Sequence, residues 1–174
     1  AVGAHLAAGR HHVVDIPLAA AATDVLAALV QAMDEQRPTL LVVDQVTSAT
    51  ARAFPIDEIC RAARERGILT LVDGAHAPGV LADPVCREAD YWVGNLHKFV
   101  CAPRGSAVIV ARDGGQELFP LIDSWGATEA YPARFDHGGT QDVTPWLAAP
   151  FAWRHLDETV GWAAIRERSR RVLD

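Results

Sequence analysis

The chain has 174 residues, half of them apolar and 22% charged, with a formal net charge of −6 from 22 acidic and 16 basic residues. That length suffices for one domain with a core of its own. The acidic balance argues against a nucleic-acid surface, which needs a basic stripe, but leaves room for an anionic small molecule in a local pocket. The sequence has no apolar run long enough for a membrane-spanning helix, so no membrane partner is expected. The Ala-rich start lacks the basic n-region of a signal peptide and is interrupted by His5, Arg10, His11, His12 and Asp15. Cys60, Cys86 and Cys101 form no CxxC pattern. Sparse thiols in odd number suit a reducing compartment, so the expected location is cytoplasmic. The chain begins at Ala1, and both ends read as cut inside an element, as in a piece of a longer protein.

"HHVVDIPL" (11–18) reads as a short strand. Thr23-Asp24 then caps a helix through "DVLAALVQAMDEQ", which Pro38 follows. "TLLVVD" (39–44) is a continuous apolar, β-branched run, the pattern of a strand buried on both faces. After a loop, Asp57 caps "EICRAARER", and Gly67 stops it. "ILTLVD" (68–73), "DYWVGN" (90–95) and "SAVIVAR" (106–112) read as three more strands. Strand, helix, strand at this spacing predicts right-handed βαβ units. The expected fold class is α/β, a mostly parallel sheet flanked by helices. Residues 113–145, rich in Gly, Pro and Asp, predict a long loop region. Helical character returns in "WLAAPFAWRHLDET" and "WAAIRERSRRVL".

In open α/β sheets, ligands sit beyond the carboxyl ends of the strands. There this sequence places Asp44 with Thr47 and Ser48, then Asp73-Gly74-Ala75-His76, then Asn95, His97 and Lys98. Taken singly, each has a plain reading. Asp-Gly is a turn pair, a lone His is a satisfied buried group, and a lone Lys is a solvated charge. Together they converge on one edge of an apolar sheet, the default geometry of an active site. No GxGxxG follows a strand and no GxxxxGK[ST] occurs, which argues against a nucleotide-binding module.

"LTLVDGAHAPG" followed by "ADYWVGNLHKFVCAPRGSAVIVAR" resembles the class V aminotransferase superfamily of pyridoxal-phosphate (PLP) enzymes, fold type I. "VTSATARAFPI" and "HGGTQD" fit the isopenicillin-N epimerase-like group within it. The resemblance implies that Lys98 forms a Schiff base with the PLP aldehyde and later moves the substrate's α-proton. Asp73 would pair with the pyridinium nitrogen and keep the ring an electron sink. His76 would lie against the ring and reach its phenolic oxygen, where many relatives carry Gln. Ser48, or Thr47 in its place, would bond near the same oxygen. Asn95 and His97 would contact the phosphate. Thr140 resembles the threonine that reaches the neighbouring subunit's cofactor, which implies a homodimer. Many relatives carry Arg where Gln141 stands.

The implied substrate is a small amino-acid-like molecule, and the implied chemistry runs through a carbanion at Cα. Epimerisation stands first, C–S lyase or cysteine desulfhydrase chemistry second, and transamination is also used by relatives. From another class, a non-catalytic α/β scaffold is the rival, and retention of Lys98 and Asp73 argues against it. The family's earlier phosphate-binding segment and its later small domain find no counterpart. Residues 1–174 therefore read as the central and C-terminal part of the PLP-binding large domain. No metal site is expected: His5, His11 and His12 read as surface residues, with no Cys or carboxylate at metal spacing. Cys101 reads as a small buried hydrophobe. The five tryptophans read mainly as core, with Trp125 and Trp146 as candidates for a pocket or a dimer seam.

Overall fold

The computed structural model describes residues 11–122 and 124–173; His5 lies outside them. Helix α1 (Ala22–Gln36) leads into strand β1 (Leu40–Asp44), helix α2 (Ile56–Glu65) and strand β2 (Leu69–Asp73). Strands β3 (Tyr91–Asn95) and β4 (Ala107–Ala111) follow, then helices α3 (Thr144–Thr159) and α4 (Trp162–Leu173). The four strands pair in sequence order. β1, β2 and β3 run parallel, and β4 returns antiparallel to β3. The mostly parallel sheet expected from the sequence is present. Only the β1–β2 crossover carries a helix; the β2–β3 connection is made of turns.

The helices start and stop for local reasons. In α1, Asp24 reaches back and accepts the Ala21 N–H at 3.0 Å, so the cap position is Ala21 rather than Thr23. Val25, Leu29 and Met33, one turn apart, form its buried stripe. In α2, Asp57 stands inside the first turn, not at the cap, where its charge still suits the helix N-terminus. The α2 end is a Schellman motif: the Ile68 N–H reaches Ala63 O and the Gly67 N–H reaches Arg64 O, both at 3.0 Å. Gly67 takes φ +69° there, the left-handed conformation that favours glycine.

One sheet face builds the core. Val43, Val72 and Trp92 pack with Val25, Leu29 and Met33 of α1 and with Ile56, Ile59 and Ala63 of α2. Thr70 is buried beside them and clamped to the start of β3. Its N–H and hydroxyl donate to Asp90 Oδ2 at 2.7 and 2.8 Å, and its hydroxyl oxygen accepts the Asp90 N–H at 2.9 Å. On the other face Leu40, Val42 and Leu69 are 47%, 60% and 51% exposed. The expected burial of β1 on both faces is thus realised on one, because α1 and α2 both join the same core cluster.

The strand expected over 11–18 is absent: that segment is irregular, and Val13 is 69% exposed. Alternation there has no partner strand to pair with. The described residues of 113–143 form most of the loop region expected over 113–145, broken by a 3-10 turn, Ala133–Phe135, before α3 begins at Thr144. Trp92 and Trp162 are buried, whereas Trp125 is fully in solvent and Trp146 lines a cavity of about 560 Å³ beside Ile109 and Tyr131. Among the described residues, no helix is long and apolar enough to cross a membrane.

The indole of Trp92 leaves no space at its neighbours. A Cβ on Gly94 would lie 2.2 Å from a Trp92 ring carbon, and one on Gly74 would lie 2.3 Å from its Nε1. Gly94→Ala is therefore expected to destabilise by about 1–3 kcal/mol through overpacking. Urea unfolding reads this as a lower midpoint, and an unshifted midpoint would show that the ring yields freely.

Candidate active site

The strand ends place the chemistry. Asp44 and Asp73 close β1 and β2 and are register partners, Asp44 against Asp73. Partners in parallel strands point to the same face, so the two carboxylates stand side by side. Burial, and then the charge of Asp73, push the Asp44 carboxyl above its ordinary value, while His76 and Lys98 pull it down. Those four groups form one electrostatic cluster. Asp73 Oδ1 also accepts the Ala75 N–H at 2.9 Å, which fixes the carboxylate to the turn that follows it. Gly74 continues the turn with its N–H on Val93 O at 2.7 Å.

That turn delivers His76. Its Nδ1 lies 3.1 Å from the Val46 carbonyl, and its Nε2 lies 3.0 Å from Lys98 Nζ. A carbonyl only accepts, so the hydrogen-bond network assigns the ring proton to Nδ1. Nε2 is then the acceptor and the Lys98 amine the donor. Phe99 meets the imidazole edge-on, with ring centroids 6.0 Å apart.

Lys98 sits in the reversal between β3 and β4. The Leu96 N–H donates to Ser106 O at 3.0 Å, the Ala102 N–H to Leu96 O at 3.0 Å, and the Cys101 N–H to Lys98 O at 3.1 Å. His97 Nδ1 donates to the same Ser106 carbonyl at 2.9 Å. The reversal is thus tied at both ends, with Lys98 half-buried between them. Cys101 is exposed, which corrects the buried reading. It occupies a left-handed position at φ +59°, while its neighbours Val100 and Ala102 turn inward.

Of the residues singled out in the sequence, Asp73, His76 and Lys98 come together. Asn95 closes β3, and His97 lies on the same β3–β4 turn as Lys98. Thr47 and Ser48 follow Val46, whose carbonyl holds His76. The Thr47 hydroxyl is taken up locally: it accepts the Arg52 N–H at 3.0 Å and pairs with Thr50 at 2.6 Å. Ser48 is exposed, with no side-chain hydrogen bond among the described residues. Thr140 is exposed in the loop before α3, and among the described residues no hydrogen bond joins it to the Lys98 cluster. Asp44, placed at the strand edge by the sequence, also joins the Lys98 cluster as the register partner of Asp73; the contributor that sequence reasoning misses is the Val46 carbonyl. That carbonyl is backbone and leaves no mark in side-chain identity.

Residues 4–174 match the aminotransferase class-V family. The chain belongs to that family. Its members are PLP-dependent enzymes. The chain is 36% identical over 170 residues to isopenicillin N epimerase of Streptomyces clavuligerus, covering 87% of this chain and 42% of that protein. It is 33% identical over 112 residues to L-cysteine desulfhydrase of Arabidopsis thaliana, covering 55% of this chain and 24% of that protein. Among solved structures, the apo cysteine desulfurase of Thermococcus onnurineus NA1 superposes with a TM-score of 0.70 at 20% identity, covering 85% of this chain and 39% of that one. The fold is that of the fold type I PLP enzymes. The chain spans less than half the length of these relatives.

The Asp44 shift has a consequence for stability. A carboxyl raised in the folded state binds protons more tightly there than in the unfolded chain. Its contribution to stability is present below the ordinary Asp value and is lost as pH rises through the raised one. Asp44→Asn is therefore expected to be more stable than the parent at neutral pH, with the gain vanishing in strong acid. Thermal melts across pH check this, and a gain that persists unchanged in acid would remove the electrostatic cause.

Proposed function

We propose that the chain is the catalytic part of a PLP-dependent enzyme that acts at the Cα of a small amino-acid-like substrate, with epimerisation as its reaction. The observation that carries the reading is the 3.0 Å contact between Lys98 Nζ and His76 Nε2 beside the Asp44–Asp73 pair. This donor set fits PLP. An amine answers the aldehyde, and a pair of adjacent carboxylates answers a pyridinium cation, whose charge relieves their mutual repulsion. When bound, PLP supplies an electron sink for the substrate's Cα.

In this reading the residues divide the work. Lys98 anchors the cofactor through Nζ and, once released, carries the proton to and from Cα. His76 holds the amine through Nε2, and the Val46 carbonyl holds His76 in the tautomer that can accept. Asp73 faces the pyridine nitrogen, oriented by the Ala75 N–H. Ser48 is the hydroxyl left for the phenolic oxygen, since Thr47 is committed to its own loop. Asn95 and His97 take the phosphate, with His97 Nδ1 tied to Ser106 so that Nε2 is the atom on offer. Thr140, which has no tie to its own Lys98, is the residue assigned to a neighbouring subunit's cofactor in a homodimer. Residues 1–174 act as the central and C-terminal part of the large domain, in a cytoplasmic protein.

A second reading, C–S bond cleavage, is supported by the likeness to the Arabidopsis L-cysteine desulfhydrase. The two separate on product. Isopenicillin N, inverted at its amino-bearing carbon without sulfide release, supports epimerisation; sulfide and pyruvate from L-cysteine support the lyase.

Borohydride reduction of the full-length protein with PLP, followed by peptide mass mapping, is expected to place a phosphopyridoxyl group on Lys98. Absence of that label in a folded, PLP-saturated protein would refute the assignment and favour a scaffold. Lys98→Ala should lose the label and at least about a hundredfold in turnover, on the order of a lost acid–base group. Asp73→Ala should still take up PLP but turn over far more slowly, and full activity would remove Asp73 from its place.

A further inference from the structure

Two thiols lie in contact outside the Lys98 cluster. Cys60 is on α2 and Cys86 is in the turn-built connection between β2 and β3. They are 26 residues apart in sequence, 1% and 5% exposed, and their sulfurs are 4.0 Å apart. Asp57 stands one turn before Cys60 on the same helix face. Its Oδ1 accepts from Cys86 Sγ at 3.1 Å. The third cysteine, Cys101, is exposed and takes no part.

We propose that Cys60 and Cys86 form a peroxide-driven disulfide site, with Cys60 as the attacking thiol, Cys86 as the resolving thiol and Asp57 as the base. The roles follow from the contacts. Asp57 Oδ1 takes the single Cys86 S–H at 3.1 Å, so Cys86 is the thiol with a base in reach and the resolving one, while the adjacent Cys86 side chain holds the Cys60 thiol below its ordinary value against the opposing effect of burial. The same pairing, then burial and Asp57, hold Cys86 above its own, so Cys86 keeps its proton longer. The thiolate is the reactive form, which places Cys60 first.

The chemistry balances with hydrogen peroxide as oxidant. The Cys60 thiolate attacks one peroxide oxygen, the O–O bond breaks, and Cys60 becomes a sulfenic acid while the leaving oxygen departs as water with the thiol's proton. Cys86 then gives its proton to Asp57 and attacks the Cys60 sulfur. The S–S bond forms, hydroxide leaves, and it takes the proton from Asp57 as a second water. Two thiols and one peroxide give one disulfide and two waters, each sulfur losing one electron. Closure from 4.0 Å to a bond of about 2 Å needs side-chain rotation and a small shift. The shift falls on a connection that has no helix or strand to resist it. The bond would staple α2 to the segment whose first turn carries His76.

The test treats the folded full-length protein with a modest molar excess of hydrogen peroxide. Free thiols are then alkylated under denaturing conditions, and the peptides are mapped without reduction. The expected result is a Cys60–Cys86 linked peptide, reversed by dithiothreitol, formed while the native circular dichroism persists. Asp57→Asn should form the same linkage several-fold more slowly, and Cys86→Ser should leave a dimedone-reactive sulfenic acid on Cys60. The site is overturned if Cys60 and Cys86 stay alkylable while Cys101 oxidises, or if the linkage appears only after the native spectrum is lost. A linkage rate unchanged in Asp57→Asn removes the base from the scheme.

Discussion

Trp92 is 1% exposed, and its indole meets the carboxyl ends of all three parallel strands. Just past β1, Gln45 is buried and accepts the indole N–H at 2.8 Å. Just past β2, Gly74 abuts the ring; within β3, Gly94 does the same. One side chain on the core face therefore sets how closely those ends approach. Burying an aromatic ring contributes through its area, and its one polar atom needs a partner, which Gln45 supplies. Asp73 precedes Gly74 and His76 lies two residues after it, and Asn95 follows Gly94. The positions of the reactive groups on one side of the sheet thus depend on a packing contact made on the other.

Given that platform, the site is held by backbone more than by side chains. Val46 O fixes the His76 tautomer, Ala75 N–H fixes Asp73, and Ser106 O fixes His97. These backbone groups lie within two residues of strand ends and are anchored by them, so they preorganise the groups they hold. The charged members then act on one another. Asp44 and Asp73 repel, and Lys98 offsets part of that repulsion. A cation added between the carboxylates would lower the energy of the set, which is why the proposed function places a protonated ring nitrogen there.

The strand runs and α2 were legible in the sequence because burial needs apolar residues at a period that shows. The Asp73, His76 and Lys98 assembly was legible for a different reason: strand ends in parallel sheets collect at one edge, whatever the loops do. What the sequence withheld depends on tertiary context. "HHVVDIPL" has strand-like residues but no neighbour to pair with. "TLLVVD" reads as buried on both faces, and only a second layer could make it so. Cys101 sits among apolar neighbours, yet a left-handed turn aims it outward. The contact between Cys60 and Cys86 is long-range and matches no spacing rule, so only the fold reveals it.

The antiparallel return of β4 also bears on how the site is assembled in time. Asn95 pairs with Ala107 across a short reversal, whereas Leu40 meets Leu69 only after a whole helix has been laid down. Closing the shorter loop loses less chain entropy, and pairings of low sequence separation form sooner. Lys98 rides on the short reversal, and Asp44 and Asp73 ride on the long crossover. Bringing the carboxylates beside each other therefore costs more chain entropy than placing the amine. The site is in this sense a junction between a local chain closure and a long-range one.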